Sequence, residues 1–410
     1  MKKESAMKQG FINSKGVYIS IILLGIVSLM DDVVYEGARG LVPDYLNVLG
    51  ATALIVGIAG GLGEFLGYAV RLISGILADT TRAYWFFIFL GYGLIGAIPL
   101  LGIAGGWEIA IILVLFERLG KAMRSPARDT VLSVISKGVG AGKAFGIHKF
   151  FDQIGAVAGP LLVAALMFYS NNNYQLTFSF LLLPFLMLVS ALVFTFNKIG
   201  SKTVVEPKTA GSTRLALGKP FYIYTLAVTV NTIGLIPVAL ILYRASSILQ
   251  PQQHWMVPLI YVLVQGVDAS VALIAGYAYD KYGIRFLVLP FVLSVFPPLF
   301  AMIDAGLLAL IIASIFFGVV LGMQESIYRA AVSQFTPVSS RGTAYGIFNT
   351  AYGVGFLISG GIYGALVDLR ASLIITLPFM VLTQIVAIIA LFKTHQDRKP
   401  AELNANKDKT

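Results

Sequence analysis

Two copies of one polar turn, set 201 positions apart, constrain this 410-residue chain more than any other feature. Gly75-Ile-Leu-Ala-Asp79-Thr-Thr-Arg82 reads G-x3-D-x2-R, and Gly276-Tyr-Ala-Tyr-Asp280-Lys281-Tyr-Gly283-Ile-Arg285 reads G-x3-D-K-x-G-x-R. Each turn follows one long apolar segment and precedes another. A membrane protein built as two copies of one bundle leaves this trace, because equivalent loops recur at half the length. Four further matches share the spacing. Ala144-Phe-Gly146-Ile pairs with Ala344-Tyr-Gly346-Ile and Gly155 with Gly355 at 200, while Arg128 pairs with Arg329 and Glu64 with Gln265 at 201.

Only 12% of the residues are charged and 57% are hydrophobic, whereas a soluble domain carries about 25% charged residues. The chain therefore belongs in a bilayer, whose core takes about 20 helical residues to cross. Segments of that kind start near Val17, Ala51, Tyr84, Ile109, Phe145 and Gln175, and again near Phe221, Trp255, Phe286, Leu307, Ala344 and Leu373. The expected fold is an all-α membrane protein of twelve transmembrane helices in two pseudo-symmetric six-helix bundles. The expected divisions are a first bundle over 1–198, a basic linker over 199–219, a second bundle over 220–394 and a polar tail over 395–410. Of the 30 Lys and Arg, 25 fall in the tails and in every second loop, leaving Arg39, Arg71, Arg118, Arg244 and Arg370. That asymmetry follows the positive-inside rule. It predicts cytoplasmic termini in a prokaryotic cytoplasmic membrane and accounts for the net charge of +10 without a nucleic-acid partner. Lys2, Lys3, Lys8 and Lys15 precede the first segment, which lacks a small-residue cleavage site after it and reads as a retained helix. The absence of cysteine excludes disulfides and thiolate metal sites, and His148, His254 and His395 form no zinc-like cluster.

The doubled turn, the twelve segments and the central basic linker resemble the major facilitator superfamily over nearly the whole chain. The first turn departs from that pattern, with Thr80 and Thr81 where a basic residue and a glycine are usual. The resemblance implies gating loops at Gly75, Asp79, Arg82 and at Gly276, Asp280, Lys281, Gly283, Arg285, whose aspartates anchor the bundles in the outward-facing state. A topogenic turn is the simpler alternative. On the fifth segment, Gly146-x8-Gly155-x3-Gly159-Pro160 is similar to the motif of antiporter branches, without the usual glycine pair afterwards (Val163, Ala164). It implies exchange of cargo against protons; close helix packing with a proline kink explains the same residues. Glu117-Arg118-Leu-Gly120-Lys121-Ala-Met-Arg124-Ser-Pro126-Ala-Arg128-Asp129 is similar to the fourth-helix element of exporters in that superfamily.

A charge at the bilayer centre costs roughly 2.5–3.5 kcal/mol even on insertion scales, so each one needs a reason. The first segment carries Asp31, Asp32, Glu36 and Arg39, the second Glu64 and Arg71, the fourth Glu117 and Arg118, the fifth His148 and Asp152. A proton-coupled carrier needs a buried carboxylate that titrates in its working range and a cation beside it. The acids supply the first and Arg71 or Arg118 the second. Plain ion pairs Glu64–Arg71 and Glu117–Arg118 are the structural alternative. In the second half, Asn231, Gln265, Asp268, Gln324 and Asn349 are the candidate cargo contacts, while Glu325 and Arg329 are spaced to pair with each other. Outer loops are short and hold isolated charges (Asp44, Glu108, Arg244, Asp304, Asp368).

The expected activity is secondary transport by alternating access, driven by a proton gradient without a cofactor: export of a small molecule, by one chain acting as a monomer. A facilitator, a proton symporter or a divalent-metal exporter is the alternative, since the acids of the first segment suit a hard cation. No metal-ligand set and no catalytic residues stand out. A membrane-embedded lipid enzyme would need a concentrated site, and an ATP-driven pump would need a G-x4-G-K-[ST] loop that the sequence lacks. A transport-dead receptor on the same fold remains open. An acid-rich cavity leans towards cationic or zwitterionic cargo.

Overall fold

A computed structural model describes residues 14–136, 139–200, 217–337 and 340–407, with side chains from 16 to 394 within those ranges. No strand occurs among the described residues. The helices are α1 (Ser14–Val48), α2 (Ala53–Thr81), α3 (Tyr84–Ile103, ending in 3-10 turns), α4 (Trp107–Ile135), α5 (Ala141–Tyr169) and α6 (Tyr174–Ile199). They continue with α7 (Lys219–Ile248), α8 (Met256–Tyr282), α9 (283–302), α10 (Gly306–Gln334), α11 (Arg341–Asp368) and α12 (Leu373–Lys407). Length and hydropathy alone mark 10 spans. One of these, Pro251–Met302, folds back on itself as α8 and α9, and α4 is missed because of its charges. Most of the expected linker, 201–216, lies outside the described residues. The last helix runs to Lys407, past the tail boundary expected at 394, although its apolar span ends at Thr394.

Local chemistry sets the helix ends. Thr52 caps α2 by accepting from the Ile55 amide at 3.4 Å, and Asn173 caps α6 through Leu176 at 2.9 Å. After α8 the chain turns at Gly283 with φ 64°, and after α2 at Arg82 with φ 55°. At a spacing of 201 these are the same position. Arg82, not Thr81, therefore occupies the place of the second turn's glycine, holding a left-handed backbone that glycine adopts without steric cost.

Within the first bundle α1 lies on α5 with almost no space between backbones. A Cβ at Gly155 would meet the Leu29 carbonyl oxygen at 2.6 Å, and one at Gly159 would meet that of Val33 at 2.5 Å. Gly355 repeats the contact on α7, at 3.0 Å from the Thr229 carbonyl oxygen. Gly146, the first residue of the motif, faces open space. Packing thus accounts for Gly155 and Gly159. Gly159→Leu should lower stability by about 1–3 kcal/mol, the range for overpacking, read as a fall in the detergent-solubilised melting midpoint; an unchanged midpoint would refute the packing role.

The two bundles meet most closely along α2 and α11. A Cβ on Gly57 or Gly360 would collide with the other's carbonyl oxygen. Further along, a Cβ on Gly61 would meet the Phe356 carbonyl oxygen at 2.6 Å, one on Gly353 the Phe65 backbone at 2.8 Å and one on Gly346 the Leu72 side chain at 2.6 Å, while the Tyr68 and Tyr352 rings stand 5.3 Å apart.

Candidate functional site

A cavity of about 510 Å³ lies between the bundles, a size suited to a small molecule. We call the side on which α1 begins and α12 ends the terminal side, and its opposite the far side. The cavity opens to the terminal side, where the side chains of Lys149, Glu325 and Asp129 are 63%, 48% and 47% exposed. Its far side is sealed. Asp44, fully buried near the end of α1, accepts from Ser246 Oγ at 2.6 Å and Tyr174 Oη at 2.8 Å and meets His254 Nδ1 at 2.6 Å. Asn47 donates to Ser246 at 2.8 Å, and Trp255 donates its amide to Asn172 at 2.8 Å. Asp368, at the end of α11, takes the Ala53 and Leu54 amides at 2.8 and 2.9 Å, where the N-terminus of α2 favours a negative charge. Asp44 and Asp368 are thus not isolated loop charges: α1 stays helical through Pro43 and carries Asp44 inward, while Asp368 caps α2 across the interface.

Inside, the carboxylates of the first bundle are mostly claimed. Glu64 Oε1 lies 2.5 Å from Arg39 Nη2 and 3.5 Å from Arg118 Nη1. Glu36 faces Lys121 at 3.7 Å and Arg39 at 3.9 Å, and accepts from Tyr261 Oη of the other bundle at 2.6 Å. Glu117 lies 3.5 Å from Arg118 Nε. The Tyr35 hydroxyl accepts from Arg118 and Arg39, with Lys121 Nζ 3.6 Å from its ring centroid. Asp152 faces His148 at 3.3 Å, and Asp129 faces Arg128 at 2.9 Å. Asp31 is bonded to Arg124, and both are buried outright. Two cavity acids stand apart: among the described residues, Asp32 and Asp268 have no hydrogen bond and no ion pair, although they are only 8% and 5% exposed.

Several sequence expectations need correction. Glu64 does not pair with Arg71 but with Arg39 and Arg118, because a spacing of seven residues separates two groups by about 10 Å along a helix while α1 and α4 lie alongside. Glu325 pairs with Lys149 at 3.9 Å rather than with Arg329, since Gln324–Tyr328 form a π turn that breaks the i, i+4 alignment. Lys121, Arg124, Arg128, Lys149 and Arg329, counted as loop charges, sit on helices lining the cavity. The lining is accordingly as basic as it is acidic, which removes the lean towards cationic cargo.

Of the expected contacts in the second half, Gln265 and Asp268 line the cavity. Asn231 instead lies in the second bundle's interior, donating to Ser294 at 3.1 Å and Gln384 at 2.7 Å and accepting from Tyr328 at 2.8 Å. Gln324 accepts from Tyr352 at 2.7 Å in the same network. Asn349 and Asp31 also lie off the cavity surface. No three His, Asp or Glu groups converge into a metal-like cluster among the described residues. Of the turns, Asp79 accepts only from Tyr84 among the described residues, at 2.8 Å, while Asp280, Lys281 and Arg285 are exposed. Among the described residues neither aspartate bonds to the opposite bundle, as fits a terminal side that is parted.

The sequence matches the family model of the Major Facilitator Superfamily over residues 21–359 and again over 229–409. It is 33% identical to an uncharacterised protein of Mycobacterium tuberculosis over 386 residues, covering 91% of this chain and 92% of that one. An uncharacterised MFS-type transporter of Methanocaldococcus jannaschii is 25% identical over 381 residues, covering 88% and 92%. Among solved structures, the nucleoside transporter NupG superposes with a TM-score of 0.65 at 15% identity, over 92% of this chain and 98% of that one. A bacterial homologue of the human lysosomal transporter Spinster, inward-facing and unoccupied, gives 0.64 at 15% identity over 93% and 98%. Those two likenesses bear on fold alone. With two matched helical bundles around a central cavity, and a family model spanning most of its length, this chain belongs to the major facilitator superfamily and is an integral, multi-pass membrane transporter.

Proposed function

We propose that the protein exports a small molecule by alternating access, driven by protons moving the other way, with the terminal side cytoplasmic. The observation that carries this reading is Asp32: a carboxylate at the cavity, buried and without a partner among the described residues. Burying an unpaired charge is expensive. Asp32 is therefore neutral where it is dry and charged where water or cargo reaches it, so its proton biases the choice between the two openings. Glu36, tied to Tyr261 across the bundles, would transmit that choice. Positive-inside orientation supports the cytoplasmic assignment, and the parted turns at Asp79 and Asp280 support an inward-open resting form.

The test is proton movement in proteoliposomes as candidate cargoes are added on one side. Cargo-induced proton release, lost in both Asp32→Asn and Glu64→Gln, is the expected result. Cargo flux without any proton signal would leave a facilitator in place of the antiporter.

A further inference from the structure

Once the ion pairs of the cavity are assigned, two guanidinium groups are left over. Arg71 on α2 has no ion pair among the described residues, and its Nε is buried without a hydrogen-bond partner. Arg329 on α10 is also without an ion pair among the described residues, because Glu325 turns to Lys149. The two come from opposite bundles yet flank one ring, their guanidinium carbons 5.5 and 6.0 Å from the centroid of Tyr68. Both line the cavity near its mouth.

The doubled sequence shows how this surplus arises. Arg128, the counterpart of Arg329, is neutralised by the adjacent Asp129 at 2.9 Å, whereas Ala330 follows Arg329. Arg71 has Ala272 as its counterpart. The π turn at Gln324–Tyr328 comes immediately before Arg329, and such turns are frequent at functional positions. Two like charges around one ring repel more strongly in a partly dry cavity than in water. An anion between them reverses the sign of that interaction, and two planar guanidinium forks match the paired oxygens of a carboxylate or phosphate.

We propose that the cargo carries an oxyanion, a carboxylate or a phosphate ester, held between Arg71 and Arg329 against Tyr68. The proposal rests on the transport reading of the cavity and adds the class of cargo to it. Because the arginines belong to different bundles, the bound anion draws the terminal sides together and so favours closure.

Binding to the purified full chain in detergent is measured by calorimetry with citrate and glucose 6-phosphate, against glucose and putrescine as neutral and cationic controls. At least one oxyanion is expected to bind, and which of the two does so separates carboxylate from phosphate cargo. Arg71→Gln and Arg329→Gln should each weaken that binding about tenfold or more, with Arg71→Lys restoring part of it; the melting midpoint of each variant checks folding. Binding of neither oxyanion, binding of putrescine alone, or unchanged affinity in both glutamine variants overturns the proposal. Thiol labelling of Val42→Cys, in a chain with no other cysteine, separates this from the transport reading. If putrescine but neither oxyanion changes the side from which that thiol is reached, transport stands and the oxyanion falls. If an oxyanion binds through the arginines without changing it, the oxyanion stands and transport falls.

Discussion

Asp32→Asn is expected to insert and fold normally, to equilibrate cargo down its gradient, and to lose uphill export to background, a drop of roughly 100-fold or more. The wild-type carboxylate is buried without a partner among the described residues. The effective cost of such a buried charge is several kcal/mol, and each 1.4 kcal/mol is tenfold in an equilibrium. Asparagine keeps the size and polarity but cannot change charge, so the two openings no longer differ in how they hold a proton. Counterflow of labelled cargo in proteoliposomes, with and without a pH gradient, checks the result. Accumulation that still follows the pH gradient in Asp32→Asn would remove this residue from the coupling path.

The second large effect is expected at the far side. Asp44→Ala removes three polar contacts at once, two of them to Ser246 and His254 in the opposite bundle. Hydrogen bonds to a charged group contribute about 1.5–3 kcal/mol each. Their loss in the closed form, but not in a form where water replaces them, should shift the population towards far-side opening by roughly 10- to 100-fold. Val42→Cys reports it, because Val42 lines the sealed end of the cavity at 9% exposure. An impermeant thiol reagent on the far side should label it slowly in the parent and much faster with Asp44→Ala. Equal labelling rates would show that this cluster does not hold the seal.

The twofold build, the helix positions and the concentration of charge in the first half were legible in the sequence, because each depends on spacing along the chain. Asp32 and Glu36 were legible for the same reason. Pairing was not, because partners are chosen across helices. Glu64 finds Arg39 and Arg118 on neighbouring helices, 25 and 54 positions away, rather than Arg71 on its own. The basic lining was hidden by the length of α4, whose 29 residues carry Lys121, Arg124 and Arg128 into the cavity where a shorter span would have left them in a loop. Asp44 and His254 stand 210 positions apart and carry no motif; their one signal was that an aspartate near the end of an apolar segment sat where the helix had not yet ended.

The contact between α2 and α11 runs almost unbroken from Gly57 and Gly360 to Leu72 and Gly346. α5 and α8 also touch across the interface, where Gln153 donates to the Gln265 carbonyl at 3.4 Å, but Gly146 nearer the start of α5 faces open space. The bundles are therefore joined like the halves of a book, with α2 and α11 as the spine. Cargo would reach Arg71 and Asp32 from the terminal side, past Lys149. A bulky residue at Gly346 would meet Leu72 and pry that spine open at its terminal end, without lining the cavity itself.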